Sequence, residues 1–439
     1  MEPVAPMAAA VLMLFLLQAG LLLGLAWILG RAAVRFGMPA VVGELCAGVL
    51  LGPSVLAAVA PGAGAWLFPR DPGQFHLLDA AGQIGVLLLV GLTGMHLDLR
   101  LVRRRGAGAA GISAAGMAVP LGLGVATGLL VPAALVPGTT DRTTFALFLG
   151  VAIAVSAVPV LAKTLIELRL IHRDIGQLIL CAVLVDDVVG WVLLSVVSAM
   201  AAAGVHTGEV AVTLGGVAVV ALAAVLARRP VGALLRNAGS PVAPVAVLVL
   251  LAAAATQALG LEAVLGAFVC GIVVNATGAV DLERLAPLHT VVMTVLAPLF
   301  FATAGLRMDL TSLADPAVLL TGLCVLAVAV AGKFGGTYAG ARFARLGHWE
   351  ALAVGAGMNA RGVIEVIIAM VGLRLGVLGP ETYTVIVLVA VATSLMAPPL
   401  LRVSMARVDH TEEERLREAA AGGVPAPVRR GGPERPPAP

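Results

Sequence analysis

The chain has 439 residues, 60% of them hydrophobic and 12% charged, with a formal net charge of +3 and a mean hydropathy of +1.04. A soluble domain carries about 25% charged residues. Half that share leaves too little polar surface to face water, which excludes a water-soluble globular protein and makes lipid the solvent. The total charge is uninformative, its distribution is not, and no nucleic-acid partner is expected. The four cysteines (Cys46, Cys181, Cys270 and Cys324) lie singly in apolar runs with no C-x-x-C pair, which argues against a disulfide framework or a zinc site.

A membrane helix needs about 20 mostly apolar residues. Hydropathy predicts thirteen such segments: 7–30, 38–59, 81–98, 107–132, 144–168, 175–202, 210–227, 241–259, 261–276, 285–306, 317–341, 349–373 and 382–401. The segment 261–276 is short, and without it the count is twelve. The first segment has no basic run before it; Arg31 and Arg35 follow it, so it is expected to stay as a helix with its N-terminus outside rather than to be cleaved.

Charge tests the count. With that orientation the cytoplasmic loops hold Arg31, Arg35, Arg100, Arg103, Arg104, Arg105, Arg169, Arg173, Arg228, Arg229, Arg236, Arg284, Arg342 and Arg345. The outer loops hold only Arg70, Arg142, Arg307 and Arg374. This is the asymmetry of the positive-inside rule, and it places the C-terminus in the cytoplasm of a cell bounded by its inner (cytoplasmic) membrane. The expected organisation is a transmembrane domain over 1–404 and a short cytoplasmic tail over 405–439. In the tail HTEEERLREAAA could make a helical turn or two, and the Pro-, Gly- and Arg-rich remainder is expected to be disordered.

Charges at mid-membrane are costly to keep and therefore informative. Asp186 and Asp187 sit in the middle of LCAVLVDDVVGWVLL. Neighbours on a helix point about 100° apart, so one carboxylate can face a water-filled cavity and the other a neighbouring helix. Two so close do not both ionise cheaply, which suits a site that takes either a proton or a hard cation. A structural acid pair is the competing reading, at high energetic cost for packing alone. Lys163 and Lys333 are the only lysines. Lys333, mid-helix in VAVAGKFGGTYAG, is the natural partner, because a buried lysine can give up its proton and an arginine cannot; a fixed salt bridge is the alternative. Lys163 lies nearer a helix end and could snorkel.

Two segments carry helix breakers. Pro159 in VAIAVSAVPVLAK removes a backbone donor, and GAGMNARGVIE sets Gly355, Gly357, Asn359 and Gly362 near the middle of its helix. Interrupted segments in corresponding halves mark binding sites in transporters, where unwound backbone offers carbonyls and helix ends to ions. Ser156 and Asn359 are candidate ligands there, against the alternative of tolerated kinks. Arg361 and Glu365 are four apart and are expected to form an internal ion pair on one helix face. Glu44, near the start of its segment, is expected to cap or pack.

In FGMPAVVGELCAGVLLGPSVL, IGVLLLVGLTGMHLDLRLVRRRG, SAVPVLAKTL, VDDVVGW, LEAVLGAFVCGIVV, LAPLFFATAGLRMDL, GKFGG and MNARGVIE, in that order from about residue 20 to 402, the chain resembles the cation:proton antiporters of Nap and Kef type. The resemblance implies an all-α fold of inverted repeats with two crossed, discontinuous helices. It implies a core bundle including 81–202 and 317–373, and separate dimerisation helices. It further implies a homodimer working by an elevator-like movement, with electrogenic exchange where two aspartates are present. Residue by residue, it makes Asp187 the ion- and proton-binding carboxylate and Asp186 the acid paired with Lys333. It puts Ser156 and Asn359 at the unwound crossings. The Kef-type cytoplasmic nucleotide-binding domain is not expected here, and no cofactor is implied.

Two rival classes also use intramembrane acids. A membrane enzyme using paired aspartates needs further acids within a few residues, and DDVVGWVLL offers none; no Gly-Asp dipeptide of an intramembrane protease occurs either. A cation channel or uniporter would share the acids but lack proton coupling.

Overall fold

The computed structural model describes residues 7–69, 71–96, 99–168, 170, 173–203, 207–409 and 414. It is built of helices: α1 Ala9–Arg35, α2 Ala40–Leu51, α3 Leu56–Val59, α4 Pro61–Leu67, α5 Pro72–Met95 and α6 Leu99–Leu130. There follow α7 Arg142–Ala154, α8 Val158–Glu167, α9 Asp174–Ala203, α10 Thr207–Asn237, α11 Val242–Ala258 and α12 Ala263–Thr277. The last are α13 Ala286–Val291, α14 Ala297–Gly305, α15 Pro316–Phe343, α16 His348–Met358, α17 Val363–Arg374 and α18 Pro380–Met405. Every one of the thirteen predicted segments has a helical counterpart. Among the described residues nine spans are each long and apolar enough to cross a membrane, and α16 with α17, bent by 43°, make a tenth. The three segments left over correspond to the shorter apolar helices α7, α11 and α12. The chain is a multi-pass membrane protein.

Local chemistry sets many of the starts. Asp141 caps α7 by accepting from the backbone N–H of Thr143 and Thr144, and Asp315 caps α15 by accepting from Ala317, with Pro316 in the first turn where it costs no hydrogen bond. Asp71 does the same for α5, which therefore begins at Pro72, nine residues before the hydropathic segment. Helix α6 likewise starts at Leu99, so Arg100 to Arg105 extend the helix instead of forming a loop. Expectations for residues 1–6, for the helical turn at 410–421 and for the disordered remainder fall outside the described residues, except at Glu414. Among the described residues no disulfide joins any of the four cysteines.

The helix that carries Lys333 packs most extensively on α6. The contact runs along Gly332, Gly336 and Gly340, spaced four apart on one face. A Cβ at Gly336 would stand 2.6 Å from the carbonyl oxygen of Ala115, so only glycine lets the backbones come this close. In lipid, where there is no hydrophobic drive between helices, this close approach is the main source of affinity. Two large apolar clusters make up the interior. One holds Phe145, Phe148, Ile153, Val155, Val363, Ile364 and Val366 to Ile368; the other holds Ala157, Leu161, Ile179, Val183, Met358 and Ala360. They meet at the breaks between α7 and α8 and between α16 and α17.

Candidate functional site

Both breaks are short and cross each other. Helix α7 stops at Ala154 and α8 starts at Val158; α16 stops at Met358 and α17 starts at Val363. Gly362 takes φ 156° and ψ −105°, a conformation open to glycine and strained for other residues. The crossing is stitched by the backbone N–H of Ala157 donating to the carbonyl of Ala360 at 3.2 Å, and by Ser156 Oγ donating to the carbonyl of Met358 at 2.7 Å. Pro159 is the second residue of α8, where its missing N–H is harmless, so the break lies just before the proline rather than at it.

An interrupted helix leaves carbonyls unsatisfied at its C-terminal end, and these carry partial negative charge. Here two cations meet them. Lys333 Nζ donates to the carbonyl of Ala154, the last residue of α7, at 2.6 Å. Arg361 donates to the carbonyl of Ile153 and, at 3.2 Å, to that of Ala329. The carbonyl of Arg361 in turn accepts from Ser394 Oγ of α18.

Asp186 is enclosed by donors. Its Oδ2 accepts from Lys333 Nζ at 2.5 Å and from Ser156 Oγ at 3.1 Å, and its Oδ1 accepts from Ser113 Oγ. Lys333 and Asp186 are both 0% exposed. Asp187, one residue on and 1% exposed, is different: neither carboxylate oxygen has a hydrogen-bond partner among the described residues. Asn359, also buried, has both amide atoms unpartnered at the end of α16. Buried polar groups are paired in the great majority of cases, so two such side chains at one crossing are atoms held ready for something other than the fold.

The structure therefore gathers Ser156, Asp186, Asp187, Lys333, Asn359 and Arg361 around one crossing, with Pro159 at its edge. The direct Arg361–Glu365 pair expected from their spacing is not among the ion pairs of the described residues. The i, i+4 argument assumed continuous helix, but Arg361 stands in the break and α17 begins only at Val363. Glu365 Oε2 instead accepts from the backbone N–H of Gly362 at 2.7 Å and closes the start of its own helix. The side chain of Lys163 lies outside the described set. Ser113 was missed in the sequence. Its only signal was a hydroxyl in the small-residue stretch GISAAG of α6, on a helix that packs against both α9 and α15.

These features define a polytopic membrane protein with an ionisable site at the crossing of two interrupted helices. The family model described as "Sodium/hydrogen exchanger, transmembrane" matches residues 19–405. The chain is 32% identical over 398 residues to the Na(+)/H(+) antiporter NhaS4 of Synechocystis, covering 89% of this chain and 97% of that protein. It is 32% identical over 376 residues to cation/H(+) antiporter 19 of Arabidopsis thaliana, covering 83% of this chain but 46% of that protein, so it spans about half the length of this plant relative. The solved structure of the sodium proton antiporter MjNhaP1 from Methanocaldococcus jannaschii superposes with a TM-score of 0.67 at 15% identity, over 90% of this chain and 97% of that one, and so shares the fold. The chain belongs to the sodium/hydrogen exchanger family.

Proposed function

We propose that this protein exchanges a monovalent cation, sodium or potassium, for protons across the cytoplasmic membrane by alternating access. The observation that carries the reading is the contrast between two adjacent carboxylates. Asp186 is neutralised by Lys333 and saturated with donors, whereas Asp187 is buried without one hydrogen bond from the described residues. A carboxylate so placed must exchange its partner: it is neutral with a proton or neutral with a cation, and the two exclude each other. The unpartnered Asn359 amide oxygen, at the end of α16, is an oxygen ligand that a hard monovalent cation can take in place of water. Family membership and relatives named as cation/proton antiporters support the same reading.

Movement of the crossing from one side to the other carries the occupied site across. Cation leaves, protons reload, and the cycle reverses. At Asp187 alone one proton is displaced per cation; electrogenic exchange, with more than one proton per cation, requires the Lys333–Asp186 pair to give up a proton as well when the cation binds. The working unit is a homodimer, with its N-terminus outside and its C-terminus in the cytoplasm. In everted vesicles Asp187→Asn abolishes the collapse of a pH gradient on adding sodium or potassium. Exchange at the wild-type rate in that variant would refute the assignment.

A further inference from the structure

Glu365 is the buried acid that the exchange cycle above leaves without a task beyond its helix. It is 1% exposed, on the first turn of α17. Oε2 is used by the cap on Gly362, but Oε1 has no hydrogen-bond partner among the described residues. The carboxylate caps Gly362 next to Arg361, whose guanidinium donates to the carbonyl of Ile153 in the facing break, one residue from the Ala154 carbonyl that takes Lys333.

A charge count gives this placement meaning. Among the described residues the other buried charged groups pair off away from the crossing, Arg173 with Glu414 and Glu262 with Arg374. At the crossing stand three carboxylates (Asp186, Asp187 and Glu365) and two cations (Lys333 and Arg361). Fully ionised, the group carries one net negative charge, which one monovalent cation or one proton neutralises. With Glu365 uncharged, Asp187 would already be balanced by Arg361, and an arriving cation would create a buried net positive charge, which low-dielectric surroundings disfavour.

Resting on the exchange reading above, we propose that Glu365 is a working carboxylate of the transport site: its charge offsets Arg361 so that one cation or one proton neutralises the crossing, and its Oε1 is offered to the bound ion. Asp187 on the continuous helix α9 and Glu365 on α17 then form an acid pair at the crossing, and proton and cation compete for the pair rather than for Asp187 alone.

The test uses the full chain in proteoliposomes, with sodium, lithium and potassium as the probes and direct binding measured by isothermal titration calorimetry. Glu365→Gln keeps an acceptor for Gly362 and so the helix start. The substitution is expected to raise the half-saturating cation concentration roughly tenfold or more, the loss that goes with removing one charged ligand, and to shift the pH profile of exchange. Glu365→Asp keeps the charge and is expected to stay nearer to wild type. Glu365→Gln combined with Arg361→Gln restores the net charge and is expected to recover affinity relative to Glu365→Gln alone. If Glu365→Gln is not recovered folded, the double variant is compared with wild type instead: cation binding in it upholds the charge balance, and no binding overturns the proposal. The proposal falls if Glu365→Gln lowers only the maximal rate, with half-saturation and pH profile unchanged, or if the double variant binds no better than the single one. Failure of the exchange reading looks different: Asp187→Asn would still exchange.

Discussion

Removing one partner of the Lys333–Asp186 pair should be far worse than removing both. The two side chains are fully buried, with Nζ and Oδ2 2.5 Å apart. Lys333→Met leaves the carboxylate facing only the hydroxyls of Ser113 and Ser156, and Asp186→Asn leaves the ammonium facing the carbonyl of Ala154. A buried charge stripped of its partner costs about 3–5 kcal/mol, whereas exchanging a whole buried pair for neutral groups of similar size is often close to neutral. In Asp186→Asn/Lys333→Met the Asn Oδ1 can still accept from Ser113 Oγ, and its Nδ2 can donate to Ser156 Oγ, which keeps its bond to the carbonyl of Met358. The expected order of thermal unfolding midpoints in detergent is wild type near the double variant, with both single variants well below. Trp191, buried one helical turn past Asp187, is a fluorescent reporter of the same region. A double variant as unstable as the two single losses added together would show that the residues act independently, and would refute the reasoning.

Other consequences follow from the packing. Gly362→Ala forces an alanine to φ 156° and should cost about 1–3 kcal/mol, lowering the unfolding midpoint and slowing exchange, whereas alanine at the solvent-side Gly239, with open space around it, should do neither. Gly336→Val drives a side chain into the backbone of Ala115 and should destabilise by about 1–3 kcal/mol, with loss of exchange because α15 carries Lys333 away from Asp186. Arg173 holds the segment after α18 through the carbonyls of Val408 and Asp409 and the carboxylate of Glu414, which also accepts from the backbone N–H of Asp174 at the start of α9. Arg173→Ala should therefore speed hydrogen exchange at 406–409 while leaving α11 and α12 unchanged.

How much of this could be read before the fold was seen depends on which interactions are local. Hydropathy located the helices because lipid demands a length that any window can count. The breaks were visible for local reasons too: Pro159 cannot donate, and Gly362 alone tolerates its backbone angles. Their limits were shifted slightly, since a proline settles at the start of a new helix rather than at the gap itself. What local pattern does not hold is which break meets which. The bond from Ala157 to Ala360 joins residues two hundred positions apart, and only the family resemblance put the two crossings together. The same distance hides Ser113, whose hydroxyl gains meaning only where α6 lies against α9. Glu365 was misread for the opposite reason: a valid local rule for helices was applied across residues that are not helical. Asp186 and Asp187 stood out at once, yet their division of labour rests on Lys333 and two serines from three other segments.

The central claim is that cation and proton exclude each other at one buried crossing. The most direct measurement is proton flux in proteoliposomes with the membrane potential clamped, driven only by an outward sodium or potassium gradient. The account predicts that protons are drawn inward as cation leaves, against their own gradient, and that Asp187→Asn ends this. Cation leaving with no proton movement in return would contradict it.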